Sequence, residues 1–420
     1  MTRWPATTVW LVYKASGSFA NALAWTLMAV YFVRDVGMGP LELVLVGTAL
    51  EVGYFLFEVP TGVVADTYSR RASVILAQLI TGASVVVIGL VPSFVVIAIA
   101  SAVQGFGWTF MSGADDAWLA DEIGTENVAR VYQHSAQLSR AAGLVGIALS
   151  VALGSVDLRI PVVAAGATTI GVGLFLAVGM PERGFRPAPR DRIGAAASMA
   201  ATAQRGGRLL LARPVLLLIV GITACGGAWS EAFDRLGQAH LLVDVGVPAL
   251  GELDPLVWFG ILNAGTLLLA LTIARPLSGR LSRAGRETMA RALLVLDAVM
   301  IGGTLAFALA GRFAPAIAAF WTITVARSLA APVYSAWVNV NVDDSSVRAT
   351  VISMTNLGDS VGQWAGGPVL GAIGSAAGMP AALGVGAAVL SPALWLYTRA
   401  IRHHGREPEL AEPAAAAVAP

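Results

Sequence analysis

The 420-residue chain has almost no lysine and almost no cysteine, and each shortage removes a class of mechanism. Lys14 is the single lysine among 27 basic residues, so no Gly-x-x-x-x-Gly-Lys-Ser/Thr tract exists to cradle a nucleotide phosphate, and an ATP-driven pump encoded in this chain is excluded. Cys225, the single cysteine, excludes an intramolecular disulfide and suits a small apolar filler better than a nucleophile. His134, His240, His403 and His404 show no metal-ligand spacing with cysteine or glutamate, so no metal or cofactor is expected. Charge is scarce too, at 13% of residues against roughly 25% in soluble domains.

Apolar runs fill the space. Stretches of about 20 residues, enough to cross a hydrocarbon core, recur near 9–33, 41–65, 72–92, 94–119, 134–154 and 160–180. A second set follows near 214–243, 255–274, 288–310, 315–340, 349–374 and 380–399. Lipid offers no partner for backbone polar groups, so each run predicts a helix. The expected fold is an all-α membrane protein with twelve transmembrane helices in two six-helix bundles. Residues 1–180 form the first, 181–213 a basic linker, 214–402 the second and 403–420 a Pro- and Ala-rich disordered tail. The N-terminus lacks a basic region followed by a short apolar core and a cleavage site, so no cleaved signal is expected.

Arginine placement sets the orientation. With both termini cytoplasmic, the outer loops hold only Arg34, Arg159 and Arg312, while twenty arginines fall in the inner segments, seven of them in the linker. The linker is a positively charged connection or a contact for anionic headgroups.

Pro60-Thr-Gly62-Val-Val-Ala-Asp66-Thr-Tyr-Ser-Arg70-Arg71 brings small residues, one carboxylate and two guanidiniums to the point where the second run meets water. This tract resembles the signature loop of the major facilitator superfamily, with Ser69 where the family usually has Gly. The resemblance implies a transporter whose Gly62, Asp66, Arg70 and Arg71 form a cytoplasmic latch for the outward-facing state. It also implies an inner-membrane monomer with a small-molecule substrate, protons and the bilayer as partners, and no nucleic acid. A degraded counterpart, Gly279-x-x-x-Arg283-x-x-Arg286, follows the eighth run, and Asp121-Glu122 with Arg130 recurs as Asp343-Asp344 with Arg348. Both pairs of landmarks are separated by nearly the same number of residues, as parallel six-helix halves around a midplane site require. Arg283 replaces the acid in the second copy, so the latch is asymmetric.

A charge at the centre of a span costs about 2.5 to 3.5 kcal/mol on insertion scales, yet this chain places about a dozen there. They are Lys14, Glu51, Glu58, Asp115, Asp116, Arg140, Glu231, Asp234, Arg235, Asp297, Arg327 and Asp359. A hydrated central pathway accounts for most of them. Lys14 either pairs with an acid or snorkels to the inner surface. Asp115 and Asp116 can pair with Arg140 across two helices or bind a proton, and only one of them can face the cavity squarely. Glu231 and Arg235 share a helix face at i, i+4; Glu231 and Asp234 suit a proton or a cationic group. Arg327 and Asp359, near mid-depth, are expected to pair.

The family's span-four pattern Arg-x-x-Gln-Gly-x-Gly is met at Gln104-Gly105-Phe106-Gly107, but Ser101 stands in the arginine's place, and Arg327 is a candidate substitute. The exporters' span-five Gly-x-x-x-Gly-Pro is reduced to Gly143 and Gly146, whereas span eleven reads Gly362-x-x-x-Gly366-Gly367-Pro368-x-x-Gly371, which close helix packing also explains. Among the tryptophans within spans, Trp25, Trp108, Trp229, Trp321 and Trp364 are candidates for a cavity that takes flat amphipathic molecules. The expected activity is secondary active transport, with proton-coupled efflux of a drug-like molecule first, an importer or uniporter second, and an intramembrane hydrolase or acyltransferase using Asp115 and Asp116 a distant third.

Overall fold

In a computed structural model, residues 4–187, 214–341 and 345–404 are described, with side chains for all of these but 214–216, 345–353 and 402–404. Most of the linker's arginines, Asp343, Asp344, the Arg348 side chain and the tail from residue 405 lie outside the described residues.

Twelve long helices run in chain order. In the first half they are α1 (Ala6–Arg34, broken at Thr26-Leu27), α2 (Pro40–Thr67), α3 (Arg70–Leu90), α4 (Phe94–Ile123, broken at 110–113), α5 (Thr125–Gly154) and α6 (Arg159–Gly179). In the second they are α7 (Pro214–His240), α8 (Val257–Leu281), α9 (Arg286–Ala308), α10 (Phe313–Val340), α11 (Ser345–Ala377) and α12 (Met379–His404). Ten are long and apolar enough to cross a membrane on their described residues; α7 and α11, of 27 and 33 residues, complete the set. The π-helical turn Ala270–Ala274 inside α8 falls just before Pro276, whose missing N–H leaves a gap in the α-helical ladder.

Two expectations shift. Helix α5 begins at Thr125, well before residue 134, because a helix does not stop where its charges leave the lipid. The signature tract is almost wholly helical: α2 ends at Thr67, α3 starts at Arg70, and only Tyr68 and Ser69 intervene. Ser69 caps α3 by accepting from the Ala72 N–H at 2.9 Å.

The halves are built alike. Helix α1 packs on α5 and α6 as α7 packs on α11 and α12; α3 pairs with α6 as α9 does with α12; α2 pairs with α4 as α8 does with α10. Between the halves, α2 meets α11 and α5 meets α8. The inter-half contacts lie at the end remote from the termini. There the Leu41 N–H donates to Ser375 Oγ at 3.1 Å, and a Cβ on Gly374 would stand 2.8 Å from Pro40. One on Gly260 would stand 2.8 Å from Val151. Along α2, Leu43, Val44, Val46, Gly47 and Leu50 are buried, while Phe55, Leu56, Phe57, Val59 and Pro60 toward the termini are exposed. The halves are therefore closed at the distal face and parted toward the face that carries the termini.

Candidate functional site

The glycines of span four are packing residues: a Cβ on Gly105 would lie 2.0 Å from the Leu50 carbonyl oxygen, and one on Gly107 2.8 Å from Thr81 Oγ1. This close approach joins α4 to α2 and α3. The break that follows ends at Gly113, whose φ of +72° is a left-handed conformation that a side chain would strain. The chain restarts at Ala114, and Asp115 in that first turn is directed at α1.

Asp115 Oδ2 accepts from Lys14 Nζ at 2.6 Å and from the Tyr13 hydroxyl at 3.1 Å. The Asp115 side chain is 8% exposed and Lys14's is 33%, so the carboxylate is the buried member. Lys14 Nζ also lies 4.4 Å from the Trp10 ring centroid, a cation–π contact. Pairing with an acid is one of the two expectations for Lys14, and pairing with Arg140 is one of the two for the aspartates; the Arg140 pairing is the one not met. Arg140 is half-buried and makes no ion pair with either aspartate among the described residues, because the restart of α4 turns Asp115 to α1 and leaves Asp116 accepting from the Tyr132 hydroxyl of α5 at 2.8 Å.

The Lys14–Asp115 pair stands at the edge of a cavity of about 350 Å³ among α1, α3, α4 and α6. Trp25 and Trp108 supply flat apolar walls, and Asn21, Gln78, Thr81, Gln104 and Thr169 supply polar groups. Thr81 Oγ1 is buried without a hydrogen-bond partner. A search for charges alone passes over these uncharged polar residues; amides spaced along apolar spans are the signal that finds them.

A second charged group lies where α2, α7, α10 and α11 approach. Arg235 Nε donates to Glu231 Oε1 at 3.1 Å along α7, with Glu231 only 3% exposed. Arg327 does not pair with Asp359. It donates to Asp234 at 2.6 Å across α10 and α7, and Asp359 accepts from Gln363 one turn along α11 at 2.8 Å. Glu51 of α2 lies within electrostatic reach of Glu231, Arg235 and Asp359 but makes no hydrogen bond among the described residues. Glu58 accepts from the Tyr54 hydroxyl at 3.0 Å. The Arg327 and Asp234 side chains are 43% and 46% exposed at mid-span, as a water-filled gap between halves allows. Arg327→Ala is accordingly expected to cost under about 1 kcal/mol of stability while reducing transport; a thermal midpoint that collapses along with flux would make the pair structural.

Three tryptophans depart from the cavity-wall expectation. Trp229 is 3% exposed, donates from Nε1 to Thr304 at 3.0 Å and stacks on Phe233, so it belongs to the second half's core. Trp321 packs into α8 at Gly265 and donates to the Leu262 carbonyl at 3.1 Å. Trp364 is 37% exposed and does not line the cavity.

The charged residues of the signature tract make their contacts within the first half. Arg70 reaches Asp66 at 3.5 Å, the Ala117 carbonyl at 3.1 Å and the Asp121 carboxylate. The Arg71 guanidinium donates to the Ala177 carbonyl at 2.5 Å and its backbone N–H to Glu182 at 2.9 Å. Glu182 also accepts from Ser69 Oγ at 2.8 Å, a contact that glycine at that position could not make. A Cβ on Gly62 would meet nothing within 4 Å. At the distal face, a cleft of about 510 Å³ is lined by Arg34, Asp35, Asp157, Arg159 and Asp254; burial first, then Asp157, pushes the Asp35 carboxyl above its ordinary range.

The sequence model described as Major Facilitator Superfamily matches residues 14–345, most of the chain. The chain belongs to the major facilitator superfamily. Solved transporter structures share its fold at low identity. A mutant form of the nucleoside transporter NupG superposes with a TM-score of 0.79 at 12% identity, covering 94% of this chain and 99% of that one. A bacterial homolog to the human lysosomal transporter Spinster, inward-facing and occupied, gives 0.72 at 15%, covering 96% and 98%. The peptide transporter POT in complex with sulfate gives 0.70 at 14%, covering 94% of each. Among curated proteins, none matches the chain by sequence. The family is one of transporters, which points to transport rather than to catalysis within the membrane.

Proposed function

We propose that this superfamily member exports a small amphipathic molecule bearing a flat ring and a positive charge, in exchange for protons. The observation that carries the reading is the Lys14–Asp115 pair at the edge of a cavity walled by Trp25 and Trp108. A carboxylate held by a releasable ammonium can take a proton as substrate departs, which a carboxylate locked to a guanidinium does poorly. Across the gap, Glu51, Glu231, Asp234 and Asp359 face Arg235 and Arg327, an acidic excess among the described residues that favours a cation.

Residues 1–180 and 214–402 act as the rocking units, joined by 181–213, with 403–420 as a cytoplasmic tail. The protein works as a monomer in the inner membrane. With both termini cytoplasmic, the parted face opens to the cytoplasm, where an exporter loads. Asp66, Arg70 and Arg71 then change partners as that face closes, and Gly62 leaves room for the approaching second half. Import or uniport is the second reading, favoured by Ser101 in the arginine's place and by a span five that offers only Gly143 and Gly146.

Inside-out vesicles given a panel of fluorescent cationic and neutral compounds test the reading. Accumulation of cationic compounds that disappears when the pH gradient is collapsed is the expected result. Uptake indifferent to an uncoupler, with counterflow that persists without a gradient, would establish uniport and end the proposal of proton exchange.

A further inference from the structure

The Trp25 ring is shared between the cavity and the opposite half of the molecule. It closes the first segment of α1, just before the break at Thr26-Leu27, and walls the cavity there. The Arg235 guanidinium of α7 lies over the same ring, with Cζ 5.8 Å from the ring centroid.

Arg235 is held from behind. Its Nε donates to Glu231 Oε1 at 3.1 Å, one turn back along α7, and the two side chains are 16% and 3% exposed. A Cβ on Gly47 of α2 would stand 2.7 Å from Arg235 Cζ and would collide with Nε and with Glu231 Oε1, so the α2 backbone closes directly over the pair. A Cβ on Gly367 of α11 would stand 3.1 Å from Glu231 Cγ and 3.1 Å from Val44 Cγ1 of α2. Two glycines, one from each half, therefore make the space in which the ion pair fits. Both belong to the distal contact: Val44, Val46 and Leu50 around Gly47 are buried, whereas Phe55 and Leu56 farther along α2 are exposed. The pair stands at the inner limit of that contact, where the gap begins.

An aromatic ring attracts a cation through the negative charge of its faces, and a second cation on the same ring, on either face, meets the charge of the first. A cationic substrate stacked on Trp25 thus drives the guanidinium away. The guanidinium stays tied to Glu231 and cannot retreat toward α2, whose backbone at Gly47 already covers it. Room appears when α2 withdraws from α7, which is the opening of the distal face.

We infer, building on the cavity proposed above as the substrate site, that Arg235 is a positioning residue that makes distal opening depend on a cation at Trp25. With the ring free of substrate, Arg235 rests on it and the α2 contact closes over the pair. A bound flat cation displaces the guanidinium, the pair presses against Gly47, and the distal contact gives way.

Ethidium, a flat aromatic cation, is the probe. Its binding to the full chain in lipid nanodiscs is read by fluorescence, and the distal face by the rate at which Val44→Cys, in a Cys225→Ala background, reacts with a water-soluble maleimide. In this parent, ethidium should bind saturably and speed the labelling. E231Q/R235Q removes the guanidinium without leaving a bare buried carboxylate. It should bind ethidium roughly twofold to thirtyfold more tightly, the span of a cation–π contact from exposed to desolvated sites, and its labelling should no longer respond to the dye. G47A, whose Cβ forces the pair aside, should label fast with or without ethidium while eluting as a folded protein in size exclusion.

Equal ethidium affinity in the parent and E231Q/R235Q, or labelling that responds to the dye alike in both, would overturn the role of Arg235. W25L separates this role from the cavity reading. If W25L weakens ethidium binding while E231Q/R235Q behaves as the parent, the cavity reading stands and the role of Arg235 falls. If the parent does not bind ethidium, or W25L binds it as the parent does, the cavity reading itself fails and Arg235 has no substrate to respond to.

Discussion

Gly371→Leu will hold the distal face open and stop transport, while Gly62→Leu will stop transport by the opposite route. At Gly371 a Cβ would already lie 3.1 Å from Leu41 Cα and 3.1 Å from Val44 Cβ, so the branched remainder of a leucine has nowhere to go while α2 and α11 are in contact. Overpacking of this kind costs about 1 to 3 kcal/mol. Charged against the distal-closed state alone, that shifts the balance between conformations roughly tenfold to a hundredfold. At Gly62 the same side chain meets open space in the state described here, and the penalty falls on the state in which the terminal face has closed.

A cysteine at Val44, which is fully buried in the distal contact, reports the difference once Cys225 has been replaced by alanine. Val44→Cys should react rapidly with an impermeant maleimide from the distal side in the Gly371→Leu background and stay protected in the Gly62→Leu background. Equal labelling in the two backgrounds, with both proteins folded by size exclusion and thermal midpoint, would mean that these glycines do not control rocking.

The membrane character and the twofold plan were legible in the sequence because both rest on lengths. A span needs about 20 apolar residues whatever its neighbours are, and the spacing of Gly62 from Gly279 needs no knowledge of packing. Partner choice was not legible. Asp115 was read against Arg140 and Arg327 against Asp359 on the basis of depth, but depth does not say how far each helix is rotated about its axis. For Asp115 that rotation is reset by the interruption at 110–113, whose marker is one left-handed glycine among the chain's 46. For Arg327 the partner proved to be Asp234 rather than the acid judged to share its depth.

The tryptophans show the same limit in apolar form. Trp25 and Trp229 are equally plausible cavity residues by position. The structure puts one against the cavity and the other into the core, stacked on Phe233. In the Gly-rich tract of α11, Gly362 lies against the Ala224 carbonyl of α7 and Gly367 and Gly371 against α2, so one stripe of small residues serves both packing within the half and closure between halves.

The Lys14–Asp115 pair separates a structural tie from a coupling device, because its two members are unequally exposed. Lys14→Met leaves an 8% exposed carboxylate with two neutral donors, the Tyr13 hydroxyl and the Asp116 backbone N–H, and no counter-charge among the described residues. Breaking a fully buried pair costs about 3 to 5 kcal/mol; with Lys14 a third exposed, the cost here is expected to be roughly 1 to 3 kcal/mol. Asp115→Asn should cost less, since an ammonium that already reaches water and the Trp10 ring loses little. The double variant should recover most of the stability lost in Lys14→Met, measured by thermal unfolding. Gradient-driven flux should nevertheless fall about a hundredfold in both single variants and in the double, as loss of an acid–base group does. Lys14→Arg completes the test: a guanidinium preserves the charge and binds the carboxylate with two parallel donors. If the pair is only a tie, Lys14→Arg transports normally. If Asp115 must give up its partner to take a proton, Lys14→Arg folds as well as the parent, exchanges substrate without a gradient and no longer responds to one.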